Sequence, residues 1–181
     1  YLPSMIVSLL IGINLIIFRK KYIYNSIYWK IFIVLIGYLF LPIVIALPYY
    51  FSIYNISILD SYFEAVSGFT STGFTIFESV KYLDPSIIIW RSTSQWVGGL
   101  YFLFSIIYLI DIFDENLKKS LTNFISFDSS EFLKQAFKIL SIYIFLTFLI
   151  FIFLKLINFR NFDAYNFSLT IISSGGFKPI D

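Results

Sequence analysis

Residues 60–77 read DSYFEAVSGFTSTGFTIF and lie between two long apolar runs. This stretch is too short and too polar to cross a membrane, for which a helix needs about 20 mostly apolar residues. Between two spans, such a stretch is either an exposed loop or a re-entrant segment that leaves on the side it entered. A helix over 60–70 would be about 16 Å long, roughly half of a hydrocarbon core about 30 Å thick.

Composition places the whole chain in the membrane class. Of its 181 residues, 59% are hydrophobic and only 13% are charged, and the mean hydropathy is +0.83. So few charges cannot cover the surface of a soluble domain, and so many apolar residues exclude a disordered chain. The chain has no Cys and no His, which excludes disulfides, thiolate chemistry and Ser-His nucleophiles. A net charge of +2 gives no indication of nucleic-acid binding.

Four apolar segments are candidates for membrane spans: 2–18, 31–49, 86–112 and 135–154. Pro42 lies inside the second, where a transmembrane helix tolerates proline. Eight of the 13 basic residues flank the same side of these spans if 60–77 is re-entrant, which places 19–30 and 113–133 in the cytoplasm. We therefore expect a multi-pass protein of the cell membrane whose surroundings are lipid.

The chain contains an internal repeat at a separation of 103 residues. Without a gap, five residues recur: Asp60 as Asp163, Tyr62 as Tyr165, Ser71 as Ser174, Gly73 as Gly176 and Phe74 as Phe177. The apolar run 31–51 also coincides with 134–154. The repeat predicts one complete helix–re-entrant segment–helix unit and a second that stops after its re-entrant segment. Because repeat architectures rarely stop within a unit, we expect further residues after Asp181.

The re-entrant segments have the features of a cation site. The C-terminal end of a short helix carries partial negative charge, which favours a cation near the middle of the membrane. Backbone carbonyls of the extended part cannot face lipid, but they can face a water-filled pore and coordinate a dehydrated cation. Gly73 fits because aligned carbonyls need backbone angles that glycine tolerates easily. Asp60 and Asp163 are most simply caps of the two helices.

Longer motifs carry a family resemblance. Ser67 to Gly73 reads SGFTSTG, and Arg91 to Gly99 reads RSTSQWVGG. Together they resemble the pore motif and inner-helix start of the first repeat in the Trk/Ktr/HKT superfamily of potassium transporters, and are closest to its TrkH branch. Ser173 to Phe177, SSGGF, is similar to the filter of the second repeat, and 2–30 to an extra N-terminal helix. Ser71 stands where threonine is common, and Phe74 replaces a smaller residue.

The resemblance implies an all-α membrane protein built of helix–pore-loop–helix repeats, as in potassium channels. The expected divisions are an N-terminal helix with a basic turn (1–30), the first repeat (31–112), a cytoplasmic connection (113–133) and a partial second repeat (134–181). It also implies transport of K+ without an organic cofactor, a homodimer and a cytoplasmic nucleotide-binding ring protein as regulator.

The resemblance further assigns residues to the filter. Carbonyls of the first filter would come from Thr70, Ser71, Thr72 and Gly73, and those of the second from Ser173, Ser174, Gly175 and Gly176. K+ is expected at Ser71, Thr72, Ser174 and Gly175. Phe74 and Phe177 are expected to pack behind the filter.

Several residues keep two interpretations. Arg91 is either an interfacial side chain or the partner of a carboxylate in the pore region. For Glu64, a structural hydrogen bond is favoured over an ion site. For Gly98 and Gly99, helix packing is favoured over contact with an ion. A Na+-conducting member of the superfamily and a non-conducting membrane scaffold stay open as alternative functions. A membrane-embedded serine protease is excluded because the chain has no histidine base.

Overall fold

The computed structural model describes residues 26–109 and 132–180, together with Ile6. This part of the chain is helical and contains no strand, which confirms the all-α fold class. Its helices are α1 (Ile27–Ser52), α2 (Ile58–Phe69), α3 (Pro85–Tyr108), α4 (Phe132–Leu156) and α5 (Asn161–Ile172), with a 3-10 turn at Val80–Tyr82. The predicted N-terminal helix, the basic turn at 19–21 and most of the connection 113–133 lie outside the described residues.

Two of the described helices, α1 and α4, are long and apolar enough to cross a membrane by length and composition. The most apolar 18-residue stretches of these two helices have mean hydropathies of 2.7 and 2.6. At 1.5 Å per residue, α3 is also long enough, at about 36 Å. It differs from α1 and α4 because it buries polar side chains such as Arg91, Ser92 and Gln95 against its neighbours. The predicted third span is therefore a helix of more polar character than the other two.

Before each proline of α1, a backbone carbonyl accepts a hydrogen bond from a side chain of a neighbouring helix. Proline lacks the N–H of a normal helical residue and loosens the hydrogen bonds of the preceding turn. The carbonyl of Leu39, three residues before Pro42, accepts from the Tyr62 hydroxyl at 3.0 Å. The carbonyl of Ile45, three residues before Pro48, accepts from the Trp90 indole at 3.0 Å. These bonds attach α1 to α2 and α3.

The short helices α2 and α5 both pack against α3. Helix α2 contacts α1 and α3, whereas α5 contacts α4 and α3. Gly98 of α3 lies so close to the end of α2 that a Cβ there would collide with the carbonyl oxygen of Phe69. A Cβ on Gly99 would lie 2.9 Å from the Cβ of Ser173, at the end of α5. The glycine pair therefore serves close helix packing, as expected.

Chain geometry recurs at the separation of 103 residues. Both bounds of α2 coincide with those of α5 at this separation. The turns that precede these helices also match, since Asn55 and Asn158 have positive φ angles of 60° and 68°. Locally similar sequence thus takes locally similar backbone at two places in the chain.

Candidate functional site

Helices α2 and α5 each end in a turn of the same type. In α2, the N–H of Ser71 bonds to the carbonyl of Gly68 at 3.0 Å, and that of Thr72 to Ser67 at 3.0 Å. In α5, the N–H of Ser174 bonds to Ile171 at 3.0 Å, and that of Gly175 to Thr170 at 2.7 Å. This pair of bonds is the Schellman motif, which satisfies carbonyls at a helix C-terminus.

Serine occupies the left-handed position of both motifs. Ser71 has φ 55° and Ser174 has φ 54°. Glycine is the usual residue there, because an L side chain in this region costs roughly 1–2 kcal/mol. The motif was not predicted from the sequence, since its usual glycine is absent. After the turns, residues 70–76 form what we name the first return segment, and 173–179 the second return segment.

The two return segments meet at a pair of glycines. Gly73 has φ 81°, which favours glycine, and a Cβ placed on it would collide with the Cα of Gly176. A Cβ on Gly176 would lie 2.9 Å from the Cα of Gly73 and 3.4 Å from the carbonyl oxygen of Thr72. Neither neighbour is a flexible side chain, so neither can move aside without shifting backbone. Both positions therefore require glycine for their close approach.

A cavity lies at each end of the return segments. The first cavity, about 420 Å³, is bordered by both helix ends and by Gly98 and Gly99 of α3. The second cavity, about 500 Å³, is bordered by Gly73 and Gly176, with Glu78, Arg91 and Lys178 around it. The stretches 71–73 and 174–176 thus lead from one cavity to the other.

A buried ion pair supports the first return segment through hydrogen bonds. The Arg91 Nε donates to Glu64 Oε1 at 2.8 Å, and the two side chains are 3% and 0% exposed. Glu64 also accepts from the Thr75 hydroxyl at 3.0 Å and from the N–H of Ile76 at 3.1 Å. The structure thus selects the carboxylate partner for Arg91 over an interfacial position, and Glu64 makes structural hydrogen bonds.

Gln95 holds the second return segment in a comparable way. Its side chain is fully buried. With the amide oxygen assigned toward the available donors, it accepts from the N–H of Gly176 at 3.1 Å and of Phe177 at 3.0 Å. A Cβ on Gly175 would collide with this amide. Arg91 and Gln95 are four residues apart on α3 and thus on one helix face. That spacing was available in the sequence, but it did not reveal which backbone the side chains support.

Hydroxyl groups near the helix ends bond within the chain. The Thr70 hydroxyl donates to the Val66 carbonyl at 2.8 Å and lies 2.6 Å from the Thr72 hydroxyl. The Ser173 hydroxyl lies 3.0 Å from the carbonyls of both Leu169 and Thr170. These bonds fix the first turn of each return segment.

Comparison with known proteins places this geometry in context. No family model matches the chain. An uncharacterized cation transporter of Methanocaldococcus jannaschii is 31% identical over 141 residues, which cover 72% of this chain and 28% of the relative. The Trk system potassium uptake protein TrkH of Escherichia coli is 41% identical over 56 residues, 30% of this chain and 12% of that protein.

The crystal structure of the potassium transporter TrkH from Vibrio parahaemolyticus has the same fold. The two superpose with a TM-score of 0.71 at 28% identity, over 90% of this chain and 33% of the other. This chain is a homologue of the Trk potassium uptake proteins. It spans about a third or less of the length of these relatives. The relatives are transporters, in line with the expectation of a non-enzyme.

Within this Trk homologue, the predicted caps need correction. The N-cap of α2 is Ser57, whose hydroxyl oxygen accepts from the N–H of Asp60 at 3.0 Å. The N-cap of α5 is Arg160, which donates to Asp163 Oδ2 at 2.7 Å. Both aspartates lie in the first turn, where a carboxylate suits the helix dipole without being the cap. The prediction was wrong because both helices begin two to three residues earlier than expected.

The two phenylalanines of the Trk-like motif have different surroundings. Phe177 is 3% exposed, and its ring lies under the Arg91 guanidinium at 4.2 Å from centroid to Cζ. Phe74 is 69% exposed, although its carbonyl accepts from the Ser67 hydroxyl. Phe177 is thus packed inside the described part of the chain and Phe74 is not, and the position of either ring relative to a filter stays a prediction.

Proposed function

We propose that this chain provides two of the segments that line a potassium-conducting pore in the cell membrane. In this proposal, backbone carbonyls of Thr70–Gly73 and Ser173–Gly176 coordinate K+, with ions at Ser71, Thr72, Ser174 and Gly175. The observation that carries it is the contact between Gly73 and Gly176, where two matching helix ends bring backbone to backbone without room for a Cβ. Side chains would obstruct this position, and carbonyl oxygens can replace the hydration shell of an ion there.

Electrostatics support a cation at this place. The C-terminal ends of α2 and α5 both border the first cavity, and each carries partial negative charge. Among the described residues that line this cavity none has a charged side chain. A cation in the cavity would therefore be stabilised by helix dipoles, hydroxyls and backbone, while the charge of Arg91 is compensated by Glu64.

The family relationship supports the choice of ion. The relatives include proteins named potassium uptake proteins and one named a cation transporter. In the superfamily that the sequence resembles, glycine at both filter positions is expected to favour K+ over Na+. A homodimer and a cytoplasmic nucleotide-binding ring protein belong to the same proposal and rest on the resemblance.

The test is Rb+ uptake into proteoliposomes that contain the product of the complete reading frame, with K+ and Na+ as competitors. We expect K+ to inhibit uptake and Na+ to have little effect. Inhibition by Na+ instead would favour a Na+-conducting protein. Absence of uptake by the folded protein, with and without a nucleotide-binding partner, would favour a scaffold.

The variant Gly73→Ser tests the filter position in the same assay. Its Cβ would collide with Gly176, so we expect discrimination between K+ and Na+ to fall by about tenfold or more, since each 1.4 kcal/mol lost corresponds to tenfold. Gly176→Ser should behave alike, because the contact is mutual. A Gly73→Ser protein that is folded and keeps its discrimination would contradict the placement of the filter.

A further inference from the structure

The guanidinium of Arg91 contacts both return segments at once. Its Nη2 donates to the Thr75 hydroxyl of the first segment at 3.0 Å, while its Nε bonds to Glu64. Its face lies 4.2 Å from the centroid of the Phe177 ring in the second segment. A cation over an aromatic ring within about 6 Å is attracted by the ring's quadrupole.

The surroundings shield these contacts from water. Arg91 is 2% exposed and Glu64 is fully buried, so water does not compete for their hydrogen bonds. Arg91 also belongs to α3, which packs against both α2 and α5. Its position is therefore defined with respect to both helix ends, and its side chain can transmit a displacement of one return segment to the other.

The internal repeat shows that this arrangement is asymmetric. At the separation of 103 residues, Phe167 takes the place of Glu64 and Lys178 takes the place of Thr75. The second repeat thus lacks the carboxylate and the hydroxyl that bind Arg91 in the first. What it offers instead is the Phe177 ring, whereas the equivalent Phe74 is exposed.

We propose that Arg91 is a positioning residue that couples the two return segments, and that the Phe177 ring is the contact by which it keeps the second segment aligned with the first. The consequence for transport rests on the function proposed above, in which these segments form the ion filter. Loss of the ring contact would let Gly176 shift against Gly73 while the ion pair of Arg91 with Glu64 stays intact.

The experiment compares Phe177→Leu with the matched control Phe74→Leu in the complete protein. We expect Phe177→Leu to reduce the discrimination between K+ and Na+ about three- to tenfold, as the loss of a buried cation–π contact predicts. Phe74→Leu should leave discrimination unchanged, because that ring has no contact with Arg91. Phe177→Tyr keeps a ring of similar electron density and should retain the wild-type value.

Hydrogen exchange provides a readout that does not need transport. The N–H of Ile76, which lies in the first return segment, bonds to Glu64. If Arg91 couples the segments, Phe177→Leu should accelerate exchange over 70–76, although the substitution lies in the second segment. Phe74→Leu and Phe177→Tyr should not.

The outcomes separate the two proposals. Faster exchange over 70–76 in Phe177→Leu supports the coupling even if the wild-type protein takes up no Rb+, a result that would overturn only the proposed function. Conversely, a Phe177→Leu protein with lower thermal stability but unchanged exchange over 70–76 and unchanged discrimination would show that the ring only fills space. That result would overturn the coupling and leave the proposed function standing.

Discussion

Glu64 and Arg91 are the residues whose chemistry the structure constrains most strongly. Both are buried in a helical membrane protein, where an isolated charge is costly. Their direct ion pair and the bonds from Thr75 and Ile76 compensate for that burial. A buried pair of this kind contributes little net stability as a pair, but removal of one partner leaves the other charge uncompensated.

At this scale we predict a large effect for Glu64→Leu. The substitution leaves the Arg91 charge buried without its carboxylate, so we expect a loss of about 3–5 kcal/mol in the free energy of unfolding. The double variant Glu64→Leu with Arg91→Met should recover a good part of that loss, because it removes both charges. Thermal unfolding of the purified proteins measures this. A double variant that is less stable than Glu64→Leu would contradict the argument.

At the scale of elements, the short helices are placed by close contact with α3. Gly98 faces backbone at the end of α2, whereas Gly37 in α1 faces the end of a side chain, the Tyr101 hydroxyl. That hydroxyl donates to the carbonyl of Val34 at 3.0 Å, but a side chain can rotate and a helix end cannot. The contact of Gly98 with the end of α2 is therefore more sensitive to added volume than the contact of Gly37 with the Tyr101 side chain.

This difference leads to a paired prediction. Gly98→Ala should destabilise the protein by about 1–3 kcal/mol, in the range measured for overpacking, because its Cβ collides with the carbonyl of Phe69. Gly37→Ala should cost less, since Tyr101 can move at the expense of one hydrogen bond. The thermal midpoints of the two variants decide the matter. A larger loss for Gly37→Ala would show that α2 can shift away from α3.

Capping offers a second test for the short helices. Ser57 caps α2 with its side chain, whereas the Arg160 side chain makes no cap hydrogen bond for α5. We expect Ser57→Ala to cost about 1 kcal/mol. Arg160→Ala should cost less, because it removes only an ion pair whose arginine side chain is 76% exposed. Thermal unfolding of both variants measures the difference, and equal losses would contradict the assigned cap.

At the scale of the whole molecule, α3 supports both return segments with side chains of one helix. Arg91 supports the first through Glu64 and Thr75, and Gln95 supports the second through the N–H groups of Gly176 and Phe177. One helix face thus holds two segments that are about a hundred residues apart in sequence. The position of Gly73 relative to Gly176 therefore depends on α3 as well as on the two segments.

We predict that Gln95→Leu loosens the second return segment. Leucine has similar size but cannot accept the hydrogen bonds of Gly176 and Phe177, so these buried N–H groups lose their partner. Hydrogen exchange over 173–179 should accelerate. Gln95→Glu keeps an acceptor in place and serves as the matched control for the hydrogen bond. Unchanged exchange in Gln95→Leu would mean that other groups bind those N–H groups.

Much of this arrangement follows from local sequence. The apolar runs of α1 and α4 predict long helices because burial in lipid depends on composition over about 20 residues. The Ser/Thr/Gly stretches after α2 and α5 predict a change of backbone, because glycine at 73 and 176 permits conformations closed to other residues. The family resemblance rests on the same local motifs and is confirmed by the homologous Trk proteins.

Other features could not be predicted from local sequence patterns, for identifiable reasons. The caps lie at Ser57 and Arg160 because the helices begin earlier than the aspartates suggested. The Schellman turns carry serine at the left-handed position and so lack the usual glycine. The divisions of the chain into repeats, and the ion-binding carbonyls, stay predictions.

By itself the sequence determined the membrane class, the long apolar helices α1 and α4 and the two similar Ser/Thr/Gly motifs, because hydropathy and glycine content act over a few turns of chain. Only the tertiary structure decided that Arg91 pairs with Glu64, that Phe177 and not Phe74 is buried, and that Gly73 meets Gly176. These contacts join residues 27 to 103 positions apart. Their formation depends on how α2 and α5 pack against α3, and of the two equivalent phenylalanines the buried one is the one that lies against the guanidinium.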